Sequence, residues 1–199
     1  MEEPSEAEVH KMEEREVARS SSEQEKAAAM KVVVAVDESD GSFYALTWTI
    51  DHLFKLKTRT DQVVLVPNRN LVILHAQHAV ENFVYPVAGH GTPFGSIYAT
   101  SSVVDSIRKA QEQNTKNVIS RAMQVCQERE VTADAAVVDG DTKDAICQAV
   151  EQMQADLLVV GSRGLGKIKR ALLGSVSDYV AHHARCPVLI VKPPRSDQQ

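Results

Sequence analysis

The chain has 199 residues, of which 43% are hydrophobic and 25% charged, a composition typical of one globular domain with short appendages. No apolar run approaches the roughly 18–20 residues that a membrane-spanning helix needs. The formal net charge of −5 argues against the broad basic surface of a nucleic-acid-binding protein. We therefore expect neither a membrane nor a nucleic acid as a partner.

The two ends of the chain differ in composition from its middle. Residues 1–29 carry nine glutamates against four basic residues and no aromatic residue, so this segment accounts for the whole net charge. Such a segment buries too little apolar surface to offset the entropy lost on ordering. We expect a disordered acidic tail at 1–29, a folded domain at 30–193 and a short C-terminal tail at 194–199.

The cysteines and the N-terminal segment both favour an intracellular protein. Cys126, Cys147 and Cys186 are far apart and form no CxxC pair, which indicates reduced thiols and no disulfide framework. A transit peptide would be rich in arginine and poor in acidic residues, and no apolar signal core is present. The expected location is the cytoplasm, with the nucleus left open.

From Lys31 onward, short β-branched runs alternate with longer amphipathic segments. In chain order they predict strand Val32–Val36, helix Gly41–Leu56, strand Leu71–Ala76, helix Ser102–Glu128, strand Val131–Val138, helix Thr142–Met153, strand Asp156–Val160, helix Ser175–Ala184 and strand Val188–Val191. This alternation predicts an α/β fold with an open five-stranded parallel sheet, helices on both faces and right-handed crossovers. A strand order of 3-2-1-4-5 would bring together the turns after the first and fourth strands, where ligands bind in such sheets.

Two segments interrupt this alternation. Lys57–Asn70 is longer than a usual helix-to-strand connection, and its apolar run Val63–Val66 is either an extra edge strand ended by Pro67 or part of an insertion loop. His78–Thr100 contains two prolines and three glycines. It is predicted to be a mobile surface loop.

The strongest indication of a ligand lies directly after the fourth strand. The motif there reads Gly161-x2-Gly164-x9-Gly174-Ser175, and Arg163 is one of several cations in the loop. Glycines at this spacing allow a tight turn and a close approach of backbone amides to an anion. A helix beginning at Ser175 would add its free N–H groups. The spacing therefore predicts a site for a polyphosphate.

Two related motifs fit this segment less well, and one structural alternative stays open. A P-loop needs Ser or Thr after Gly166-Lys167, where this chain has Ile168, and a dinucleotide fingerprint needs a third glycine that is missing. The alternative is that Ser175-x-x-Asp178 is a capping box, which stabilises a helix without any ligand.

A second candidate half-site follows the first strand, at Ala35-Val36-Asp37, with Ser39 as a further candidate contact. A carboxylate at the carboxyl end of a strand can accept both hydroxyls of a ribose, and the backbone of Ala35 and Val36 can face an adenine edge. The alternative is that Asp37 or Ser39 only caps the following helix.

Other polar clusters do not fit a metal site or a catalytic site. A calcium loop beginning at Asp139 would need glycine at its sixth place, where Asp144 stands, and glutamate at its twelfth, where Val150 stands. The segment Asp139–Asp144 is better explained as a strand end and a helix cap, with Gly140 kept as a candidate pocket residue. His75 and His78 would face opposite sides of a strand, which favours structural histidines. No G-x-S-x-G elbow is present. We predict no catalytic residue and no metal ligand.

These motifs, together with the final run Cys186–Val191, resemble the universal stress protein family, and most closely its single-domain plant type. The resemblance covers about residues 30–193. It implies a Rossmann-like fold of the adenine nucleotide alpha hydrolase type, often dimeric through its last strand. It also implies an adenine nucleotide as ligand, ATP or else AMP or ADP, with Mg²⁺ left open. Phosphate contacts would fall on Gly161, Arg163, Gly164, Gly174, Ser175, Val176 and Ser177. Nucleoside contacts would fall on Ala35, Val36, Asp37 and Ala76, with Val160 packing beside them.

The expected function is that of an ATP-binding protein of the stress response, acting as a sensor or regulatory module with unknown protein partners. No general base is evident in the sequence, so any hydrolysis of ATP should be slow. Two alternatives stay open. One is a stress-linked chaperone or dimeric interaction protein in which the nucleotide is incidental, and the other is a slow phosphohydrolase.

Overall fold

A computed structural model of the chain describes residues 29–57, 63–78, 84–87, 95–98, 101–162 and 173–194. Five of its strands form one parallel sheet: β1 (Met30–Ala35), β4 (Arg69–Gln77), β7 (Ala133–Asp139), β8 (Leu157–Gly161) and β9 (Val188–Val191). Their spatial order is β7-β4-β1-β8-β9, which is the predicted order 3-2-1-4-5. The predicted fold class is confirmed.

Four α-helices accompany the sheet within the described residues: α1 (Asp40–Thr49), α2 (Ser101–Glu128), α3 (Thr142–Gln152) and α4 (Ser175–His183). Apolar residues of α1 and α2 pack with Val32 and Val34 on one face of the sheet. Apolar residues of α3 and α4 pack with Val33 and Leu158 on the other face. The central strands read as continuous apolar runs because both of their faces are buried.

The first predicted helix ends earlier than the sequence indicated. The α-helix stops at Thr49, and a π-helical turn follows at Ile50–Phe54, where Lys55 N–H donates to the carbonyl of Ile50. The wider turn keeps both Ile50 and Phe54 in the core. Leu56, predicted to be helical, lies in strand β2 (Lys55–Lys57).

The first interrupting segment forms a hairpin apart from the main sheet. Strand β3 (Val63–Leu65) pairs antiparallel with β2, with Lys55 opposite Leu65 and Lys57 opposite Val63. The apolar run predicted at Val63–Val66 is therefore a strand, but it does not extend the parallel sheet. All three residues of β3 are exposed.

The second interrupting segment contains a strand pair where the sequence predicted a loop. Strands β5 (Val84–Val87) and β6 (Gly95–Tyr98) pair antiparallel, with Pro86 opposite Ser96. The loop prediction is wrong for these eight residues. Valine, isoleucine and tyrosine favour strands, and a two-stranded ribbon has open edges on which proline is tolerated. Residues 79–83, 88–94 and 99–100 lie outside the described residues.

The remaining boundaries agree with the predictions to within two residues, the differences of two being the earlier starts of β1 and β4 and the later start of β7. Within the described part of the chain, no helix is both long enough and apolar enough to cross a membrane. Most of the predicted acidic tail and of the C-terminal tail lies outside the described residues.

Candidate functional site

A cavity of about 650 Å³ opens beyond the carboxyl ends of β1, β4 and β8. It lies where the strand order reverses, because the chain leaves β1 toward β4 and leaves β8 toward β9. Ten of the residues predicted from the sequence line it: Ala35, Val36, Asp37, Ala76, Val160, Gly161, Gly174, Ser175, Val176 and Ser177. The structure thus brings both predicted half-sites to one cavity.

Asp37 is held in place by the turn that follows β1. One carboxylate oxygen, Oδ1, accepts hydrogen bonds from the backbone N–H of Ser39, at 3.0 Å, and from the Ser39 hydroxyl. The Asp37 N–H donates to the hydroxyl of Ser42 at 3.1 Å. With Oδ1 engaged inside the turn, the carboxylate has a fixed orientation at the edge of the cavity.

Ser39 supports this turn and does not itself border the cavity. It is the N-cap of α1, and its hydroxyl accepts from Ser42 N–H at 3.3 Å. The structural alternative from the sequence, helix capping, therefore applies to Ser39. Asp37 borders the cavity and is bonded to that cap.

Gly161 lies where the two half-sites touch. A Cβ atom added to it would stand 2.8 Å from the carbonyl oxygen of Gly41 and 3.1 Å from the nitrogen of Ser42, in the first turn of α1. Only a residue without a side chain allows β8 to approach α1 this closely. Gly161 therefore sets the spacing between the two turns that border the cavity.

Gly174, rather than Ser175, is the N-cap of α4, so the predicted capping box at Ser175 and Asp178 is wrong. The Ser177 hydroxyl accepts from Gly174 N–H at 3.0 Å and lies 3.1 Å from the carbonyl of Ser162. Ser177 is 2% exposed, so its hydroxyl is committed to this cap.

The start of α4 presents backbone donors to the cavity. Intrahelical bonding begins with Asp178 N–H, which donates to Gly174 O at 2.9 Å. The N–H groups of Ser175, Val176 and Ser177 precede it and have no acceptor inside the helix. All three residues line the cavity, so this helix end is suited to an anion.

Of the predicted site residues that the structure describes, Ser39 and Gly140 are not among those that line the cavity. Gly140 has a φ of +141° and joins β7 to α3, where its N–H donates to Gln77 O at 2.9 Å. Its role in the described structure is to make this turn. Asp141, next to it, is the N-cap of α3, which agrees with the helix cap predicted within Asp139–Asp144. Arg163 and Gly164 lie outside the described residues.

Sequence reasoning missed a set of polar residues on α2 that line the cavity, namely Gln111, Asn114 and Thr115. We call these three residues the polar wall. The Gln111 amide donates to His78 O at 2.6 Å, and the Asn114 amide donates to a carboxylate oxygen of Glu38. A signal was present in the sequence, because these residues continue the buried stripe of Val118 and Ala122 by one and two helical turns. Polar residues on that stripe indicate a face that leaves the core.

Thr115 begins a chain of hydrogen bonds along the carboxyl edge of the sheet. Its hydroxyl donates to the Gln77 side-chain oxygen at 2.5 Å, and the Gln77 amide donates to Asp139 Oδ1 at 2.8 Å. Both ends of the Gln77 amide are therefore engaged. This chain connects α2 to the ends of β4 and β7.

His75 is the most deeply buried ionisable residue that lines the cavity. It is 5% exposed, and its Nδ1 lies 2.9 Å from the carbonyl oxygen of Val36. The structural role predicted for it agrees with this contact. In the described residues, no group of three or more His, Cys, Asp and Glu side chains is arranged to hold a metal ion.

The cysteines are not among the residues that line the cavity. Burial raises the pKa of Cys126 to about 11, and it also raises the pKa values of Cys147 and Cys186. A thiol with a raised pKa is a weak nucleophile near neutral pH, because little of it is thiolate.

Comparisons with known proteins place this geometry in a family. The model of the universal stress protein family matches residues 28–192. The universal stress protein A-like protein of Arabidopsis thaliana is 31% identical over 171 residues, which cover 81% of this chain and 89% of that protein. The family predicted from the sequence is confirmed.

Two solved structures related to this chain hold adenine nucleotides. One is the crystal structure of a universal stress protein family protein from Arabidopsis thaliana with AMP bound, 27% identical with a TM-score of 0.55, covering 84% of this chain and 97% of that one. The other is a universal stress protein in complex with cAMP, also 27% identical, with a TM-score of 0.52, covering 82% and 97%.

Proposed function

Because the chain belongs to the universal stress protein family, we propose that it binds an adenine nucleotide in the cavity beyond β1, β4 and β8. The observation that carries this proposal is the meeting of two unlike half-sites at one cavity. Asp37, an acceptor for ribose hydroxyls, borders it from β1, and the N–H groups at the start of α4, which have no acceptor inside the helix, border it from the other side.

The phosphates would lie at the start of α4. The N–H groups of Ser175, Val176 and Ser177 offer donors to an anion there, with the partial positive charge of the helix N-terminus behind them. We propose that Arg163 and Gly164, which belong to the same motif in the sequence, contribute to this end of the site. The AMP-bound relative supports the proposal for the nucleotide class.

ATP is the proposed physiological ligand, and a sensor or regulatory module of the stress response in the cytoplasm is the proposed role. Each backbone N–H that bonds a phosphate oxygen is a charge-assisted hydrogen bond, stronger than a neutral one. Three such bonds at α4 would favour ligands that carry phosphate. We therefore expect ATP and AMP to bind more tightly than adenosine.

The Gly174→Leu variant tests the site. Gly174 has ordinary extended backbone angles, with φ of −78° and ψ of 160°, so the backbone tolerates a side chain there. Because Gly174 lines the cavity, a leucine side chain would occupy the space of the phosphates. We expect titration calorimetry with ATP and AMP to show binding in the wild type and a loss of at least about 100-fold in the variant.

The Ala135→Leu variant is a matched control, since it adds similar bulk at an exposed position of β7. It should bind both nucleotides as the wild type does. A folded Gly174→Leu variant with unchanged affinity would contradict the proposed site. A wild type that binds none of the nucleotides would contradict the proposed function.

We also propose that the protein forms a homodimer through β9. This strand lies at one edge of the parallel sheet, and the Pro187 and Val191 carbonyls accept from Leu158 and Ser162 of the neighbouring segment. Odd-numbered residues therefore face β8, and the N–H groups of Val188 and Ile190 point away from it. Such an apolar edge can pair with a second copy.

Sedimentation of the wild type and of the Val188→Pro variant tests the dimer. Proline removes an outward N–H at the first residue of the strand, a position where it is tolerated. We expect a dimer at micromolar concentration for the wild type and weaker association for the variant. A wild type that stays monomeric at that concentration would refute the dimer.

A further inference from the structure

One ring nitrogen of His75, Nε2, has no hydrogen-bond partner among the described residues. His75 follows Leu71 and Ile73 at two-residue spacing, so its side chain lies on the face of the sheet that α1 and α2 cover. Leu71 and Ile73 lie in the core, whereas His75, further along the same face of β4, borders the cavity.

The contact with Val36 fixes the position of the proton in the neutral ring. A carbonyl oxygen can only accept a hydrogen bond, so Nδ1, at 2.9 Å from Val36 O, must be the donor. The other nitrogen, Nε2, then carries no proton and is an acceptor.

The environment of Nε2 follows from two observations. Among the described residues, every side-chain nitrogen or oxygen that is shielded from solvent has a hydrogen-bond partner. A ring nitrogen without a partner must therefore be reached by solvent. The contact that the structure gives His75 within those residues is made by Nδ1. Nε2 therefore faces open space, and the open space beside His75 is the cavity.

The position of β4 indicates which part of a nucleotide Nε2 would meet. The α4 helix follows β8, and β4 is two strands away from β8 in the sheet, a separation of about 10 Å. With the phosphates at the start of α4, the nucleoside occupies the part of the cavity that β1 and β4 border.

We propose that His75 Nε2 accepts a hydrogen bond from a donor group of the bound nucleoside, and that the site thereby selects nucleotides with a donor at that place. This inference rests on the proposed function. The donor is either the amino group of the base or a hydroxyl of the ribose. Both present an N–H or O–H to an acceptor, and a ligand series distinguishes them.

The test pairs one variant with four ligands. His75→Asn keeps an N–H that can donate to Val36 O but has no atom at the position of Nε2. The ligands are AMP, purine riboside monophosphate, which lacks the amino group, and the 2′-deoxy and 3′-deoxy forms of AMP. Titration calorimetry gives the affinity of each pair, and circular dichroism and urea unfolding check that the variant is folded.

We expect His75→Asn to weaken AMP binding by about 3- to 10-fold, the usual effect of losing one neutral hydrogen bond. For the wild type, one of the three analogues should bind more weakly than AMP by a similar factor. For the variant, that analogue and AMP should bind with equal affinity. That analogue identifies the donor as the base amino group or as a ribose hydroxyl. Equal losses in the wild type and the variant for all three analogues would overturn the inference.

The outcomes separate this inference from the proposed function. If the wild type binds AMP but the affinity losses from the His75→Asn substitution and from each analogue simply add, His75 has no such role and the proposed nucleotide site stands. A wild type that does not bind AMP overturns both.

Nitrogen NMR of histidine-labelled wild type gives a second readout that does not depend on the variant. At a pH where the ring is neutral, it should show Nδ1 protonated and Nε2 without a proton in the free protein. Addition of AMP should shift the Nε2 resonance in the direction of an accepted hydrogen bond. A resonance that AMP does not move would count against the proposal even if the variant fails to fold.

Discussion

The Gly161→Ala substitution adds a methyl group at a position where the backbone of α1 already lies. The new Cβ would stand 2.8 Å from Gly41 O, 2.9 Å from Gly41 C and 3.1 Å from Ser42 N. Carbon atoms in comfortable contact are separated by about 3.5–4.0 Å. Because all three contacts are with backbone atoms, no side chain can rotate away to relieve them.

The free energy of unfolding should fall by about 1–2.5 kcal/mol. Overpacking of this kind costs about 1–3 kcal/mol, and the upper half of that range applies where backbone must move. Against this, alanine reduces the conformational freedom of the unfolded chain and returns about 0.4–1 kcal/mol. This second effect applies because Gly161 has a backbone φ that alanine adopts without strain.

Urea unfolding of the wild type and the variant measures this difference. For a slope of about 2 kcal/mol per molar urea, the midpoint should fall by about 0.5–1.3 M. A second variant, Gly161→Val, should cost more than alanine because the loss grows with the volume of the side chain. AMP affinity should fall in both variants, since β8 and α1 are pushed apart at the cavity. A Gly161→Ala midpoint equal to that of the wild type would refute the close contact.

Two further predictions concern positions outside the cavity lining. Gly140→Ala should destabilise the protein by about 1–3 kcal/mol because φ is +141° there, and the loss should not grow with side-chain size, since a Cβ would stand 3.6 Å from its nearest neighbour. Equal stability of wild type and variant would contradict the strain. Cys126, with a pKa of about 11, should react with a thiol reagent at pH 8 only after unfolding, because about one thiol in a thousand is ionised. Because burial raises this pKa, the stability that the protonated thiol contributes is present below pH 9 and should be lost as pH rises toward about 11. Rapid labelling of Cys126 in the folded protein, or stability that stays constant over this pH range, would show that the thiol is not buried.

The strands of the parallel sheet could be predicted from the sequence because their burial is visible in their composition. Val32–Val34 and Leu71–Leu74 are buried on both faces, and only uninterrupted apolar runs satisfy that. The hairpin of β2 and β3 has no comparable signal in the sequence. Each of its strands has three residues, and β2 reads Lys-Leu-Lys, so pairing between distant residues decides its structure.

The site could be predicted where it consists of turns and not where it consists of a helix face. Asp37 and Gly161 lie at the ends of β1 and β8, and the parallel fold brings such ends to one edge. The capping box predicted at Ser175 and Asp178 is wrong because the cap lies one residue earlier, where Gly174 N–H donates to the hydroxyl of Ser177. The polar wall comes from the middle of a 28-residue helix, and only the packing of α2 on the sheet shows which of its polar residues reach the cavity.

The chain of hydrogen bonds from Thr115 through Gln77 to Asp139 has a kinetic consequence for any ligand of this cavity. Donors and acceptors that are already oriented before a ligand arrives spare it the entropic cost of arranging them. One side of the cavity then works as a rigid template. A ligand that docks against it should associate in a single step, at a rate limited by diffusion and orientation and without a slow rearrangement of α2.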